Sequence, residues 1–196
     1  MHIERPQSRQ PMPESAEKVF TGVLFDVYQW QQDLFDGTKT TYEKLKRQDA
    51  VVVVGITTEG EFLVTMQEQP GQKQYACLAS GPIEPGETPY EAAVRELREE
   101  TGYEASEWEL LRSDQPIREI DWALYHFVAR GCKPVTDIQQ DPGERIELQK
   151  LNLDDFLTFC QRPDFAERLL QMHIMRAMLN PTLLAELKTK LLLSNP

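Results

Sequence analysis

Three glutamates near the middle of the chain have a spacing suited to holding a metal ion. Glu96, Glu99 and Glu100 follow one another at i, i+3 and i+4, so a helix would bring their side chains to one patch. Like charges at that spacing destabilise a helix unless a positive charge lies among them. Hard carboxylate oxygens are typical ligands of Mg²⁺ and Mn²⁺, ions that also bridge to substrate phosphates. The spacing therefore favours a divalent-cation site.

The residues on either side of these glutamates predict that helix and its ends. Thr88 is placed to cap the N-terminus, Pro89 suits the first helical position, and Glu91 completes a Thr-x-x-Glu capping box. Gly102 stands where a left-handed C-terminal cap is needed. We expect the helix over Thr88–Thr101. Its apolar residues share the sector that would pack on a sheet, namely Tyr90, Ala93, Val94 and Leu97.

A loop that contains two glycines leads into the helix. It runs from Gly81 to Glu87 and would let the backbone approach a ligand beside a helix N-terminus. Such an assembly suits metal-assisted attack of water on a phosphoanhydride, because bound cations lower the pKa of water and screen phosphate charge. The competing interpretation is a solvated acidic face. For the three glutamates alone it is the simpler one, since the chain has 32 acidic residues.

The segments around the helix predict a mixed sheet. Residues 50–56 form a nearly continuous β-branched run, which is typical of a central strand covered on both faces. An N-terminal hairpin is expected from Lys18 to Tyr42, with a two-residue turn at Asp36-Gly37. Further strands are predicted at 62–66, 75–78, 108–111, 122–129 and 144–151, and helices at 153–160, 164–179 and 182–193. These elements together predict an α/β fold, an α/β/α sandwich with helices appended at its end.

Prolines and periodicity divide the chain into three parts. Residues 1–16 hold three prolines and little apolar periodicity, which predicts a loose N-terminal arm. The main domain is expected over 17–159, with the hairpin at 17–45 and the core at 46–159. A helical extension is expected over 160–196.

Composition and charge argue against several classes of protein. The chain is 40% hydrophobic, enough for a core, yet it has no apolar run of membrane-spanning length and no signal-peptide pattern. Its net charge of −11 disfavours binding to a nucleic-acid polymer, because such binding depends on Lys and Arg neutralising phosphates. Cys77, Cys132 and Cys160 lack the spacing of a disulfide framework or a thiolate zinc site, which favours a reducing cytoplasm.

The loop and the helix together resemble the Nudix box, G-x5-E-x7-R-E-U-x-E-E-x-G-U. Gly81, Glu87 and the run from Arg95 to Tyr103 (RELREETGY) match it, with Tyr103 in place of the usual aliphatic residue. The resemblance extends over about 19–156 and implies a Nudix hydrolase. The implied fold is an α/β/α sandwich around a mixed sheet, with an N-terminal β-hairpin and C-terminal helices.

The resemblance also implies roles for residues of the box. It makes Glu96 and Glu100 the main metal ligands and Glu99 a further ligand, with Mg²⁺ as the cofactor and Mn²⁺ as a substitute. The residues implied to support the site structurally are Gly81, Glu87, Arg95 and Gly102.

Within the family, the sequence is most similar to the ADP-ribose and nucleoside-diphosphate-sugar pyrophosphatases. The similarity rests on the N-terminal hairpin, on Ala92-Ala93 and on the strand that follows Glu144. It implies cleavage of a pyrophosphate bond in a small nucleotide substrate, and a homodimer formed through the N-terminal strands. It also suggests Glu144 as an extra ligand or base, so the catalytic candidates are Glu99, Glu100 and Glu144. A turn carboxylate beside Arg145 is the equally weighted alternative for Glu144.

Two segments depart from that branch. Cys77–Gly81 replaces its usual Glu-x-Pro-Ala-Gly run, and residues 67–69 lack the arginine that commonly follows the preceding strand. No substrate-binding residue is therefore predicted. The alternative function is a catalytically weak module on the same fold, which binds a nucleotide and regulates without cleaving it.

Overall fold

A computed structural model describes residues 3–139 and 142–192. The strands are β1 (Glu17–Thr21), β2 (Asp26–Asp33), β3 (Lys39–Lys46), β4 (Ala50–Thr57), β5 (Phe62–Glu68), β6 (Tyr75–Cys77), β7 (Ala79–Pro82), β8 (Tyr103–Glu104), β9 (Glu107–Asp114), β10 (Ile120–Asp121), β11 (Leu124–Pro134) and β12 (Arg145–Leu151). The helices are α1 (Pro89–Thr101), α2 (Leu153–Phe159), α3 (Arg168–Met178) and α4 (Pro181–Leu192).

The larger of the two sheets is mixed and is covered by helices on both faces. Its main strand order is β12-β5-β4-β11-β8, in which β11 runs parallel to β4 and the other neighbours are antiparallel. Every residue of β4 is buried, as its β-branched sequence predicted. Alternate residues of β4 face opposite sides: Val51 and Val53 pack with α1, whereas Val52 and Val54 pack with α2, α3 and α4. The predicted α/β/α sandwich is confirmed.

The N-terminal strands form a separate four-stranded sheet in the order β1-β2-β3-β10. The turn between β2 and β3 is longer than the predicted two residues, because Asp33 pairs with Lys39 and leaves five residues in the loop. Within that loop, the amide of Leu34 donates to the carbonyl of Thr38 at 2.8 Å, and Gly37 has a φ of 85°. The hairpin is therefore present, with a wider loop than Asp36-Gly37 alone indicated.

The N-terminal arm lies against this sheet and the core. Arg5 forms a bidentate pair with Asp49 at 2.7 and 2.9 Å. The ammonium group of Lys44, which is buried, donates to the hydroxyl of Ser8 at 2.7 Å and to the carbonyl of Gln10 at 2.6 Å. Over its described residues, the segment expected to be loose is thus held by specific polar contacts.

The C-terminal helices complete the core on the side opposite α1. Helix α3 begins at Arg168 rather than at the predicted Asp164, because residues 164–166 run beside β6 instead. There the amide of Ala166 donates to the carbonyl of Ala76 at 2.8 Å. Helix α4 is fixed by Arg130, which donates to the carbonyl of Leu191 at 3.1 Å and pairs with Glu109 at 2.7 Å. No helix in the described ranges is long and apolar enough to cross a membrane.

Candidate active site

Helix α1 forms where the sequence predicted it, and both of its ends are capped. The hydroxyl of Thr88 accepts from the amide of Glu91 at 3.2 Å, and the Glu91 carboxylate accepts from the amide of Thr88 at 2.8 Å. Gly102 has a φ of 75°, and its amide donates to the carbonyl of Arg98 at 2.9 Å. Because the end groups of the helix are satisfied, the box residues are held in a fixed register.

Arg95 joins the preceding loop to this helix. Its guanidinium donates to the two carboxylate oxygens of Glu87 at 2.8 and 3.0 Å, and to the carbonyl of Pro82 at 2.9 Å. It also donates to Glu96 at 2.7 Å and to Glu99 at 3.1 Å. These contacts use the planar fork of donors that arginine has and lysine lacks. The structure thus places Arg95 and Glu87 at the junction of loop and helix.

Gly81 leaves the space that the Glu96 carboxylate occupies. A Cβ atom at position 81 would overlap with Glu96 Oε1. The backbone of Gly81 has little freedom to retreat, because it pairs with Val51 in the β4–β7 ladder. Glycine therefore lets the Glu96 carboxylate lie against this strand, and a larger residue would displace that carboxylate.

Glu96 and Glu100 are buried, with 6% and 7% of their surface exposed. The carboxylate of Glu100 accepts from the amide of Ser80 at 3.1 Å. Burial raises the pKa of Glu100 to about 9, and the charge of Glu96 contributes to the rise. Burial also raises the pKa of Glu96 to about 7, against the opposing effect of Arg95. Two adjacent buried carboxylates form a site that a cation would stabilise.

Glu99 lies at the rim of the site. Its side chain is 39% exposed and contacts Arg95, so the expected patch consists of two buried carboxylates and one partly exposed carboxylate. Among the residues that the structure describes, no group of three or more His, Cys, Asp and Glu side chains is arranged to hold a metal ion. The buried pair nevertheless fits Mg²⁺. That ion is usually held by one or two carboxylates and completes its shell with water and substrate phosphate oxygens.

Glu144 is positioned by the pairing of β12 with β5. The first residue of β12, Arg145, lies opposite Glu68, so Glu144 lies beside the loop that follows β5. There the side-chain amide of Gln69 donates to Glu144 at 2.9 Å. The charge of Glu144 contributes to the raised pKa of Glu100, so the two carboxylates are within electrostatic reach. Residue 141 begins the Asp-Pro-Gly-Glu turn sequence that ends at Glu144, and it lies outside the described residues.

The structure also shows a cavity of about 500 Å³ beside the strand that begins the box. Arg47, Trp122 and Glu167 are among its lining residues. Glu167 was not among the predicted site residues, because the sequence from residue 164 onwards predicted a helix. Nothing in the local sequence distinguishes this glutamate from the acidic residues on the surface.

Three comparisons relate the chain to known proteins. The NUDIX domain family matches residues 46–172. The chain is 27% identical to the "ADP-ribose pyrophosphatase" of Bacillus subtilis (strain 168) over 150 residues, 75% of this chain and 81% of that protein. It is 31% identical to the "Methanol dehydrogenase activator" of Bacillus methanolicus over 149 residues, 74% of this chain and 80% of that protein. A crystal structure of an "ADP compounds hydrolase" has a similar fold, with a TM-score of 0.67 at 22% identity, covering 93% of this chain and 98% of that one.

Proposed function

This chain belongs to the Nudix family, and from that premise we propose a metal-dependent hydrolase that cleaves the pyrophosphate bond of a nucleoside diphosphate linked to another moiety. The proposed substrate is ADP-ribose or a nucleotide sugar. The observation that carries the proposal is the pair of buried carboxylates, Glu96 and Glu100, on a capped helix beside Gly81. The name of the B. subtilis relative, "ADP-ribose pyrophosphatase", supports the choice of substrate.

In the proposed mechanism, Glu96 and Glu100 would hold Mg²⁺, or Mn²⁺ in its place, and Glu99 at the rim would be a further ligand. When bound, such a cation lowers the pKa of water and screens the substrate phosphates. Glu144, oriented by Gln69, is the proposed base: it takes a proton from the water that attacks phosphorus. A new P–O bond forms to that water, the bridging P–O bond breaks, and the bridging oxygen leaves with the other phosphate group. The candidates for direct catalytic roles are thus Glu99, Glu100 and Glu144.

The test is the hydrolysis of a panel of nucleotide sugars, dinucleotides and triphosphates, followed as phosphate released by an added phosphatase. The Glu100→Gln variant should fold normally, because the amide mimics the protonated acid, and should lose several orders of magnitude in kcat. The matched control is Glu104→Gln, which changes an exposed residue paired with Arg98 at 3.5 Å and should leave turnover unchanged. Full activity of Glu100→Gln would refute the role proposed for this carboxylate.

A second candidate function is a regulatory module that binds a nucleotide without cleaving it. The segment Cys77–Gly81, which departs from the pyrophosphatase pattern, and the relative named as an activator favour this candidate. Calorimetric binding of a nucleotide without any product after long incubation with Mg²⁺ or Mn²⁺ would support it. Rapid turnover of any panel member would eliminate it.

We also propose that two copies of the chain associate through the N-terminal sheet and that the protein works in the cytoplasm. Strand β1 is exposed at every position and lies at the edge of its sheet. Its neighbourhood exposes large apolar side chains that a second copy would cover: Val19, Phe20, Val23 and Leu24. All three cysteines are buried and unpaired, which fits a reducing compartment.

A further inference from the structure

The cavity beside the box adjoins the proposed cation site. One wall is formed by Ser80, Gly81 and Pro82, and the amide of Ser80 also donates to Glu100. A volume of about 500 Å³ lies within the range of pockets that bind small molecules. A substrate whose phosphates lie at Glu96 and Glu100 could therefore extend into this cavity.

Three polar atoms of the cavity-lining residues lack a hydrogen-bond partner within the described part of the chain. They are Oε2 of Glu167, Nε of Arg47 and Nε1 of Trp122, and all three atoms are buried. Buried polar groups in proteins are nearly always paired, with protein, water or ligand. The set therefore matches a ligand that offers hydrogen-bond donors and acceptors.

Glu167 precedes helix α3, but its side chain does not cap that helix. It occupies the N-cap position of α3, where a carboxylate usually accepts a hydrogen bond from the first turn and faces the positive end of the helix dipole. The Glu167 side chain makes no such bond and is only 7% exposed. Burial raises its pKa to about 8, although the backbone amides of Leu78 and Glu167 itself oppose the rise. Its Oε2 atom is thus left without a partner from its own helix.

We propose that this cavity holds the nucleoside of the substrate and that Glu167 hydrogen-bonds to it as a specificity-determining residue. The walls combine these polar atoms with apolar side chains, including Ile117 and Leu169. A mostly apolar wall suits a flat base better than a second sugar, which carries hydroxyls on most of its ring atoms. Arg47 lies 4.8 Å from the centre of the Trp122 ring and would orient that wall. The inference rests on the proposed function, because it takes a nucleoside diphosphate as substrate.

The test compares Glu167→Leu with the matched variant Glu167→Gln, which keeps the size and the hydrogen-bonding capacity of the side chain. Binding is measured by calorimetry in EDTA with AMP and, separately, with ribose 5-phosphate, so it does not depend on catalysis. The Leu variant should raise the Kd of AMP about tenfold, the size expected for one lost hydrogen bond, and the Gln variant should not. In steady-state assays the Leu variant should raise KM for ADP-ribose by a similar factor while kcat stays within about twofold, because Glu167 binds rather than reacts.

Unchanged AMP binding by the Leu variant would overturn the inference, as would a loss confined to ribose 5-phosphate. If the Leu variant does not fold, Trp122→Phe replaces it, because this substitution removes the indole N–H and keeps an aromatic ring. Trp122→Phe should weaken AMP binding severalfold. Unchanged AMP binding by this variant would refute the nucleoside site. Binding of AMP that depends on Glu167 in a chain that hydrolyses nothing would support the nucleoside site and refute the hydrolase. Hydrolysis of ADP-ribose with unaltered AMP binding in all variants would support the hydrolase and refute the nucleoside site.

Discussion

His126 offers a sharp test of how the core on the α3 side is built. It lies in β11 between Leu124 and Val128, which belong to that core, and it is fully buried. Neither ring nitrogen has a hydrogen-bond partner among the described residues. Burial lowers the pKa of His126 from 6.5 to about 4; the charge of Arg112 adds to the effect, and Asp114 opposes it. The folded protein therefore keeps this imidazole neutral at pH values where the unfolded chain protonates it.

The sign and size of the effect follow from this difference in pKa. The contribution of the neutral His126 to the free energy of unfolding is complete above the unfolded pKa of 6.5. It is lost as the pH falls towards the folded pKa of about 4. At 1.36 kcal/mol per pKa unit, the loss between pH 7 and pH 5 is about 2 kcal/mol. Replacing His126 by Leu removes this pH-dependent loss of stability, because leucine has no proton to gain. The raised pKa values of Glu100 and Glu167 act in the opposite direction, because protonation of these groups favours the folded state, so only a difference between variants isolates His126.

The assay is urea unfolding of the wild type and of His126→Leu at pH 7, 6 and 5. The free energy of unfolding of the variant, minus that of the wild type, should grow by about 2 kcal/mol from pH 7 to pH 5. The control is His173→Gln, at a histidine that is more exposed, and it should keep most of the wild-type pH dependence. A difference between His126→Leu and wild type that stays constant with pH would refute the assignment of a buried neutral imidazole.

Two further predictions concern the site and the assembly. Gly81→Ala should place a methyl group against the Glu96 carboxylate. It should weaken Mg²⁺ binding and kcat/KM by about 10–100-fold, the range typical of groups that orient metal ligands. Wild-type values for both quantities would show that Glu96 does not need its observed position. The double variant Phe20→Ser/Leu24→Ser should sediment at the mass of one chain where the wild type sediments at that of two, whereas a monomeric wild type contradicts the dimer.

The parts of the fold that could be predicted are those in which neighbouring residues determine the structure. Helix α1 carries its signals within its own sequence, in the capping box of Thr88 and Glu91 and in the left-handed Gly102. The unbroken burial of β4 follows from its own β-branched residues. Local chemistry was sufficient in both cases.

The elements that differed from prediction depend on contacts between distant segments. The loop between β2 and β3 has five residues because the register of the two strands pairs Asp33 with Lys39. Residues 164–166 leave the predicted helix because Ala76, far away in sequence, offers backbone hydrogen-bonding groups to them. The arm is held by Arg5 and Lys44, whose partners are defined only by the folded sheet. Helical periodicity and turn propensity contain no information on such pairings.

The same distinction applies to the site, where burial separates a few acidic residues from the many on the surface. Of the acidic residues that the structure describes, three are buried: Glu96, Glu100 and Glu167. The helical spacing predicted one patch of Glu96, Glu99 and Glu100. It could not show which of them are buried, because that depends on the room that Gly81 leaves for Glu96 and on the contact of Arg95 with Glu99 at the rim. Glu167 had no comparable motif. A buried carboxylate is costly unless it is paired or serves a ligand. Under the proposed function each of the three has a ligand: Glu96 and Glu100 would hold the cation that meets the diphosphate, and Glu167 would meet the nucleoside in the cavity that Ser80 and Gly81 also line.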